Sequence, residues 1–288
     1  MKHLEVTANG ARFHVACIGS GPPLVLLHGW PEYWATWEPV MHLLADRFTL
    51  YAPDLRGFGD SDKPAGPWGA HAHAADIQAL IPALGLERAG LVGHDVGGVA
   101  MQPLARKAPQ LVAGLFFFDV MHAGVGPRMG APDRLNEIWY QSFNQLPIAP
   151  ALVGASRESC WAYLGHILDQ WCHRKGTFEP VREQWIDTFL KPGNLEGGFA
   201  YYQAANAPRL AMLAGKAPSQ PSIALPTCVR WGEHDALFPY AWTDNLHQTF
   251  GNLDLASFEG VGHFPHREAP RQAAEHIARF FGRLEAWR

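Results

Sequence analysis

Near its start the chain alternates apolar and polar positions twice, over residues 3–8 and 11–18, on either side of Asn9-Gly10. Alternation of period two places every second side chain on one face of a strand, and Asn-Gly favours the tight turn of a hairpin. After Pro22-Pro23 the pattern changes to a short continuous apolar run, Leu24-Val25-Leu26-Leu27, which predicts a strand buried on both faces. Three similar runs follow: Phe48 to Ala52, Ala89 to Val92, and Leu111 to Val120 ending at Asp119. The intervening segments, Trp34 to Ala45, Ala72 to Leu84 and Val99 to Lys107, carry apolar residues at helical spacing. Buried strands alternating with helices predict an α/β fold, a mostly parallel central sheet with helices on both faces.

From about residue 122 to 222 the rhythm is broken. The periodicity becomes helical throughout, aromatics cluster (Trp139, Tyr140, Trp161, Trp171, Trp185), and prolines and glycines interrupt the segments. Strand patterns then resume at Thr227 to Trp231 and Leu253 to Phe258, and an amphipathic helix is predicted over Arg267 to Leu284. The expected organisation is a core made of residues 1–121 and 223–288, interrupted by a helical cap over 122–222. No internal repeat or low-complexity tract is present.

Composition narrows the class of protein. Of 288 residues 48% are hydrophobic and 17% charged, enough apolar content for a large buried core. The formal net charge of −4 and the lack of any basic run argue against a nucleic-acid partner. Cys17, Cys160, Cys172 and Cys228 show no framework spacing and read as reduced thiols. The first residues, Met1 to Val6, lack the apolar stretch of a signal peptide, and no apolar run is long enough to span a bilayer. A cytoplasmic protein without membrane attachment is therefore expected, with a homodimer left open. Fifteen histidines raise the question of a metal, but His71-x-His73 and Cys172-His173 have no second pair to complete a site, so neither metal nor cofactor is expected. Gly57-x-Gly59 lacks the context of a phosphate-binding loop.

The chemistry concentrates at Gly93-His94-Asp95-Val96-Gly97-Gly98, between an apolar strand and a helical segment. This is the pattern of a nucleophile elbow, a turn sharp enough to need glycines around it. Asp95 occupies the tip, where serine is usual. A carboxylate is already anionic at neutral pH, so it can displace a leaving group at a saturated carbon and form an ester, without a base to activate it.

These residues give the chain its resemblance to the α/β-hydrolase superfamily and, within it, to the epoxide hydrolases and haloalkane dehalogenases that use an aspartate nucleophile. The resemblance runs from His28 to the C-terminal helix. It implies a triad in the chain order nucleophile, acid, histidine: Asp95, then Asp235 in Gly232-Glu233-His234-Asp235, then His263 in Gly260-Val261-Gly262-His263. Asp119, at the end of the preceding strand, is the alternative acid; both stay open at this point, with Asp235 preferred. His28-Gly29-Trp30-Pro31 resembles the family's oxyanion turn, so backbone N–H groups of Trp30 and Val96 are expected to face the Asp95 carboxylate, with His28 and His94 in support.

The cap implies the substrate class. Epoxide hydrolases carry two cap tyrosines, because an opening epoxide leaves an alkoxide that a neutral phenol can protonate. Tyr140, paired with Gln141, resembles the first and Tyr202 the second; Tyr201 falls on a different helical face. The expected activity is epoxide hydrolysis to a vicinal diol through an Asp95 ester, on a small hydrophobic substrate. The alternative is a haloalkane or haloacetate dehalogenase using the same triad. It loses its key residues here: Val96 offers no indole to a halide, Val96 and Val99 replace the arginines that bind haloacetate, and Tyr140-Gln141 stands in place of a His-Trp pair.

Overall fold

The computed structural model describes residues 1–284; residues 285–288, the end of the second expected core segment, lie outside the described residues. Eight strands form one sheet in the spatial order β1-β2-β4-β3-β5-β6-β7-β8. They are β1 (Lys2–Ala8), β2 (Ala11–Gly19), β3 (Pro23–Leu27), β4 (Thr49–Pro53), β5 (Ala89–His94), β6 (Val112–Phe118), β7 (Thr227–Gly232) and β8 (Leu253–Phe258). β1 and β2 pair antiparallel across a turn in which Asn9 and Gly10 have φ of 48° and 72°, the left-handed geometry of a two-residue hairpin. β2 also joins β4 antiparallel, and every later pairing is parallel. All residues of β5, β6 and β7 are buried, which is why these strands read as unbroken apolar runs.

Helices α1 (Glu38–Leu44), α2 (Ala70–Ala83) and α3 (Asp95–Lys107) follow β3, β4 and β5. Eight more α-helices among the described residues come in two groups. Between β6 and β7 lie α4 (Trp139–Phe143), α5 (Ala149–Val153), α6 (Arg157–Trp171), α7 (Arg182–Phe189) and α8 (Asn194–Leu213). After β7 come α9 (Leu246–Thr249), then α10 (Pro265–Glu268) and α11 (Pro270–Phe281) beyond β8. α2 packs on α3 over one face of the sheet, and α1 packs on α11 over the other. The apolar interior divides accordingly into two large clusters, one of which continues into the helices between β6 and β7, and a small third one lies under the β1–β2 hairpin against Leu80.

Proline decides where two of the expected helices break. The helix expected over Trp34 to Ala45 is a short 3₁₀ turn, Trp34–Trp37, followed by α1, whose first turn holds Pro39. Proline has no N–H to give the preceding turn but fits the start of a helix, where that donor has no partner. The amphipathic helix expected over Arg267 to Leu284 is likewise split into α10 and α11 at Ala269, which has φ −140° and ψ 62° ahead of Pro270. Among the described residues the four cysteines are free thiols, and no helix is long and apolar enough to cross a membrane.

Candidate active site

β5 delivers Asp95 at a turn with φ 44°, a left-handed conformation that a residue with a Cβ adopts only under constraint. Close approach supplies the constraint. A Cβ at Gly97 would lie 2.4 Å from the Leu27 carbonyl oxygen, and one at Gly93 would lie 2.3 Å from Met101 Sδ. The elbow therefore closes only with glycine at both positions. Gly97→Ala is expected to lower stability by about 1–3 kcal/mol, the usual cost of overpacking, as a reduced urea midpoint at unchanged slope.

The turn after β3 meets the elbow from the side. Trp30 N–H donates to Asp95 Oδ1 at 3.1 Å, and Gly29 lies so close that a Cβ there would sit 2.6 Å from Asp95 Cβ. Val96 N–H, expected to share this task, makes no hydrogen bond to the resting carboxylate. It stands in the first turn of α3, where a helix leaves its N–H groups without backbone partners. His28 does not reach the cavity. Its Nδ1 bonds the Gly29 carbonyl at 2.9 Å and its Nε2 accepts from Leu55 N–H at 3.0 Å. Both nitrogens are spent on backbone, so His28 braces the turn and does not bind substrate itself.

On the far side, His263 Nδ1 donates to Asp235 Oδ2 at 2.8 Å, while the other oxygen of Asp235 accepts from Leu237 and Phe238 N–H at 2.7 and 2.9 Å. That bond fixes the tautomer and leaves a lone pair on His263 Nε2, which lies 3.9 Å from Asp95 Oδ2 and has no hydrogen-bond partner. Burial lowers the affinity of His263 for a proton, but Asp235, Asp95 and Glu32 together outweigh it and raise its pKa above the ordinary 6.5. Asp119, the other acid left open by the sequence, makes no hydrogen bond to His263. Its Oδ1 accepts from Gly232 N–H at 2.8 Å, and burial followed by the charge of Asp235 pushes its carboxyl well above the usual range. Asp119 thus stands behind Asp235, turned to the β7 backbone instead of the imidazole.

Several supporting residues carry no sequence signal. Glu32, wholly buried, accepts from Gly29 N–H at 2.9 Å and bonds His94 Nδ1 at 2.7 Å and His266 Nε2 at 2.9 Å. Burial alone would raise its pKa; His94 and His266 outweigh that and hold it well below the carboxylate range. His94 Nε2 in turn reaches the His263 carbonyl at 2.7 Å. One carboxylate thereby ties the Trp30 turn, the elbow and the histidine loop together. Glu268 clamps that loop from outside, accepting from the N–H groups of Gly262, Phe264 and Arg174. Chain position gave no hint of either role, because the partners come from distant loops.

Above the elbow lies a cavity of about 190 Å³, lined by Asp95 and Val96 from the core and by Tyr140, Gln141, Tyr201 and Tyr202 from α4 and α8. The Tyr140 ring meets Trp171 and Tyr202 edge-on, at centroid distances of 4.8 and 5.6 Å, and Tyr202 meets Trp30 at 5.8 Å. Gln141 donates its amide to the Tyr140 hydroxyl at 3.1 Å. Burial first, then the Asp95 charge, push the Tyr140 phenol well above its ordinary pKa; burial, Tyr140 and Asp95 do the same for Tyr202. Both are neutral donors at pH 7. Tyr201 reaches the cavity too, stacked on His73 at 5.6 Å: adjacent residues of a helix lie about 100° apart, and the cavity touches both faces.

Residues 22–270 match the family model described as alpha/beta hydrolase fold. The chain is 31% identical to the soluble epoxide hydrolase of Corynebacterium sp. strain C12 over 291 aligned residues, 98% of each protein. Among solved structures, epoxide hydrolase CorEH without ligand superposes with a TM-score of 0.84 at 28% identity, covering 99% of both chains. An epoxide hydrolase from Vigna radiata gives 0.82 at 26% identity, covering 98% of both. The chain belongs to the alpha/beta hydrolase fold family.

Proposed function

We propose that the protein is an epoxide hydrolase that needs no cofactor, with core residues 1–121 and 223–288 and a cap of residues 122–222 closing over Asp95. The observation that carries this reading is a carboxylate with one oxygen held by Trp30 N–H, facing two neutral phenols in one cavity. Asp95 Oδ2 attacks a ring carbon, the C–O bond breaks, and its electron pair stays on the ring oxygen. Tyr140 and Tyr202 hydrogen-bond that oxygen, and one of them gives it a proton. The product is a glycol monoester of Asp95. His263 Nε2 then takes a proton from water, and the hydroxide adds to the ester carbonyl. Trp30 and Val96 N–H stabilise the oxyanion that forms on Oδ1. Collapse frees the diol and restores the carboxylate, and the proton on His263 returns to the tyrosinate. Asp235 holds the imidazole and balances its charge once protonated. Gln141 orients the Tyr140 hydroxyl.

The activity named for the Corynebacterium relative is in keeping with this chemistry. A single turnover in heavy-oxygen water tests it. Label is expected first in the Asp95 carboxylate and in the diol only on later turnovers; label in the first diol would exclude the ester route. Release of halide from haloalkanes or haloacetates, without diol from epoxides, would favour a dehalogenase instead.

The two carboxylates behind His263 separate by substitution. Asp235→Asn is expected to lower the hydrolysis rate by about 10⁴-fold, since it disturbs the tautomer. Asp119→Asn, at a side chain that makes no hydrogen bond to His263, is expected to cost less than about tenfold. The pH profile carries the sign. His263 must be neutral to accept a proton, and its pKa is raised, so activity falls on acidification with a midpoint above 6.5. Asp235→Asn removes a raising charge and is expected to move this limb to lower pH.

A further inference from the structure

α8 presents Tyr202, Ala205, Arg209 and Met212 to the cavity, spaced so that they share one face of the helix. Arg209 follows Tyr202 by two turns, about 10 Å along the axis. Among the described residues that line the cavity it is the one cation, and Asp95 is the one carboxylate. Asp95 is already engaged by Trp30 N–H and faces His263, and it forms no ion pair with Arg209. The guanidinium donates from one Nη to Asn206 Oδ1 at 3.1 Å, while its Nε is buried with no hydrogen-bond partner. Arg209 is half-buried, and that burial lowers its pKa. Val99, Met121, Pro208 and Met212 add apolar lining to the same cavity, and Gln145 a neutral polar side chain. A planar fork of donors in such a setting matches a carboxylate far better than it matches a neutral group.

From this we infer that Arg209 selects epoxides bearing a carboxylate, which it grips while Asp95, Tyr140 and Tyr202 act on the ring at the other end of the cavity. The inference rests on the epoxide-opening reading for its substrate and on Arg209 alone for its charge. A methyl ester of the same epoxide keeps the ring and the chain but offers no charge. The acid is therefore expected to be preferred by about 10- to 100-fold, the range for a hydrogen-bonded charge in place of a neutral acceptor.

The test uses epoxy acids with two to eight methylenes between ring and carboxylate, each beside its methyl ester. Binding is read by calorimetry in Asp95→Asn, which cannot form the ester, and turnover is read in the wild type. The acid is expected to bind more tightly than the ester at the best-fitting length, and that preference is expected to collapse to about one in Asp95→Asn/Arg209→Gln and to survive in part with Arg209→Lys. Equal binding of acid and ester at every length, or a preference unchanged by Arg209→Gln, would overturn the inference. Turnover reports separately on the epoxide reading. A wild type that opens neither acid nor ester defeats that reading, while an acid preference lost with Arg209→Gln still assigns the anion site.

Discussion

His263→Gln is expected to stop the reaction halfway, with the protein gaining the mass of one epoxide on the peptide that bears Asp95. The reason lies in the division of labour across the site. Ring opening needs the Asp95 carboxylate and a phenolic proton, neither of which comes from His263. Hydrolysis of the ester needs a base for water, and His263 Nε2 is the lone pair that faces Asp95, 3.9 Å away. Glutamine has no titratable nitrogen and cannot take that proton. Steady-state turnover should fall by about 10⁴-fold or more, while a burst equal to the enzyme concentration remains. Intact-protein mass spectrometry after mixing with excess epoxide reads both. A variant that neither turns over nor gains mass, yet gives an unchanged unfolding curve, would sink the two-step mechanism.

The second large effect is expected from the tyrosines, and it falls on the opposite step. Tyr140→Phe and Tyr202→Phe each keep the ring, and with it the edge-on packing among Trp171, Tyr140, Tyr202 and Trp30. Only the proton donor is lost. Each single variant should open the ring about 10- to 100-fold more slowly, because the other phenol still receives the oxygen. The double variant should lose about 10⁴-fold, the upper range for general acid catalysis. It should also accumulate no ester, in contrast to His263→Gln. Stopped-flow quenching of tryptophan emission during a single turnover distinguishes the two, since Trp30 and Trp171 both border the phenols. A double variant as fast as the wild type would remove the acid role from both hydroxyls.

Much of this site was legible along the chain. The glycines around Asp95 announce a turn too tight for a Cβ, and the apolar runs on either side announce the strands that bury it, so the elbow and the sheet are local consequences of residue type. The paired phenols and the His263 loop came with the family resemblance, which rests on short motifs and survives divergence elsewhere. What stayed hidden depends on approach between loops that are distant in sequence. Asp119 and Asp235 follow the neighbouring strands β6 and β7, and both were plausible partners for His263. Only the turn in which Asp235 accepts from Leu237 and Phe238 N–H aims one carboxylate at the imidazole and leaves the other behind it. His94 was expected to support the elbow, but the brace that Glu32 and His266 add to it was invisible, because a buried carboxylate in a sequence looks no different from an exposed one. Residue type thus determined which groups this protein has and which turn carries Asp95. The packing of separate loops into one low-dielectric interior decided which of those groups touch, and hence which are charged.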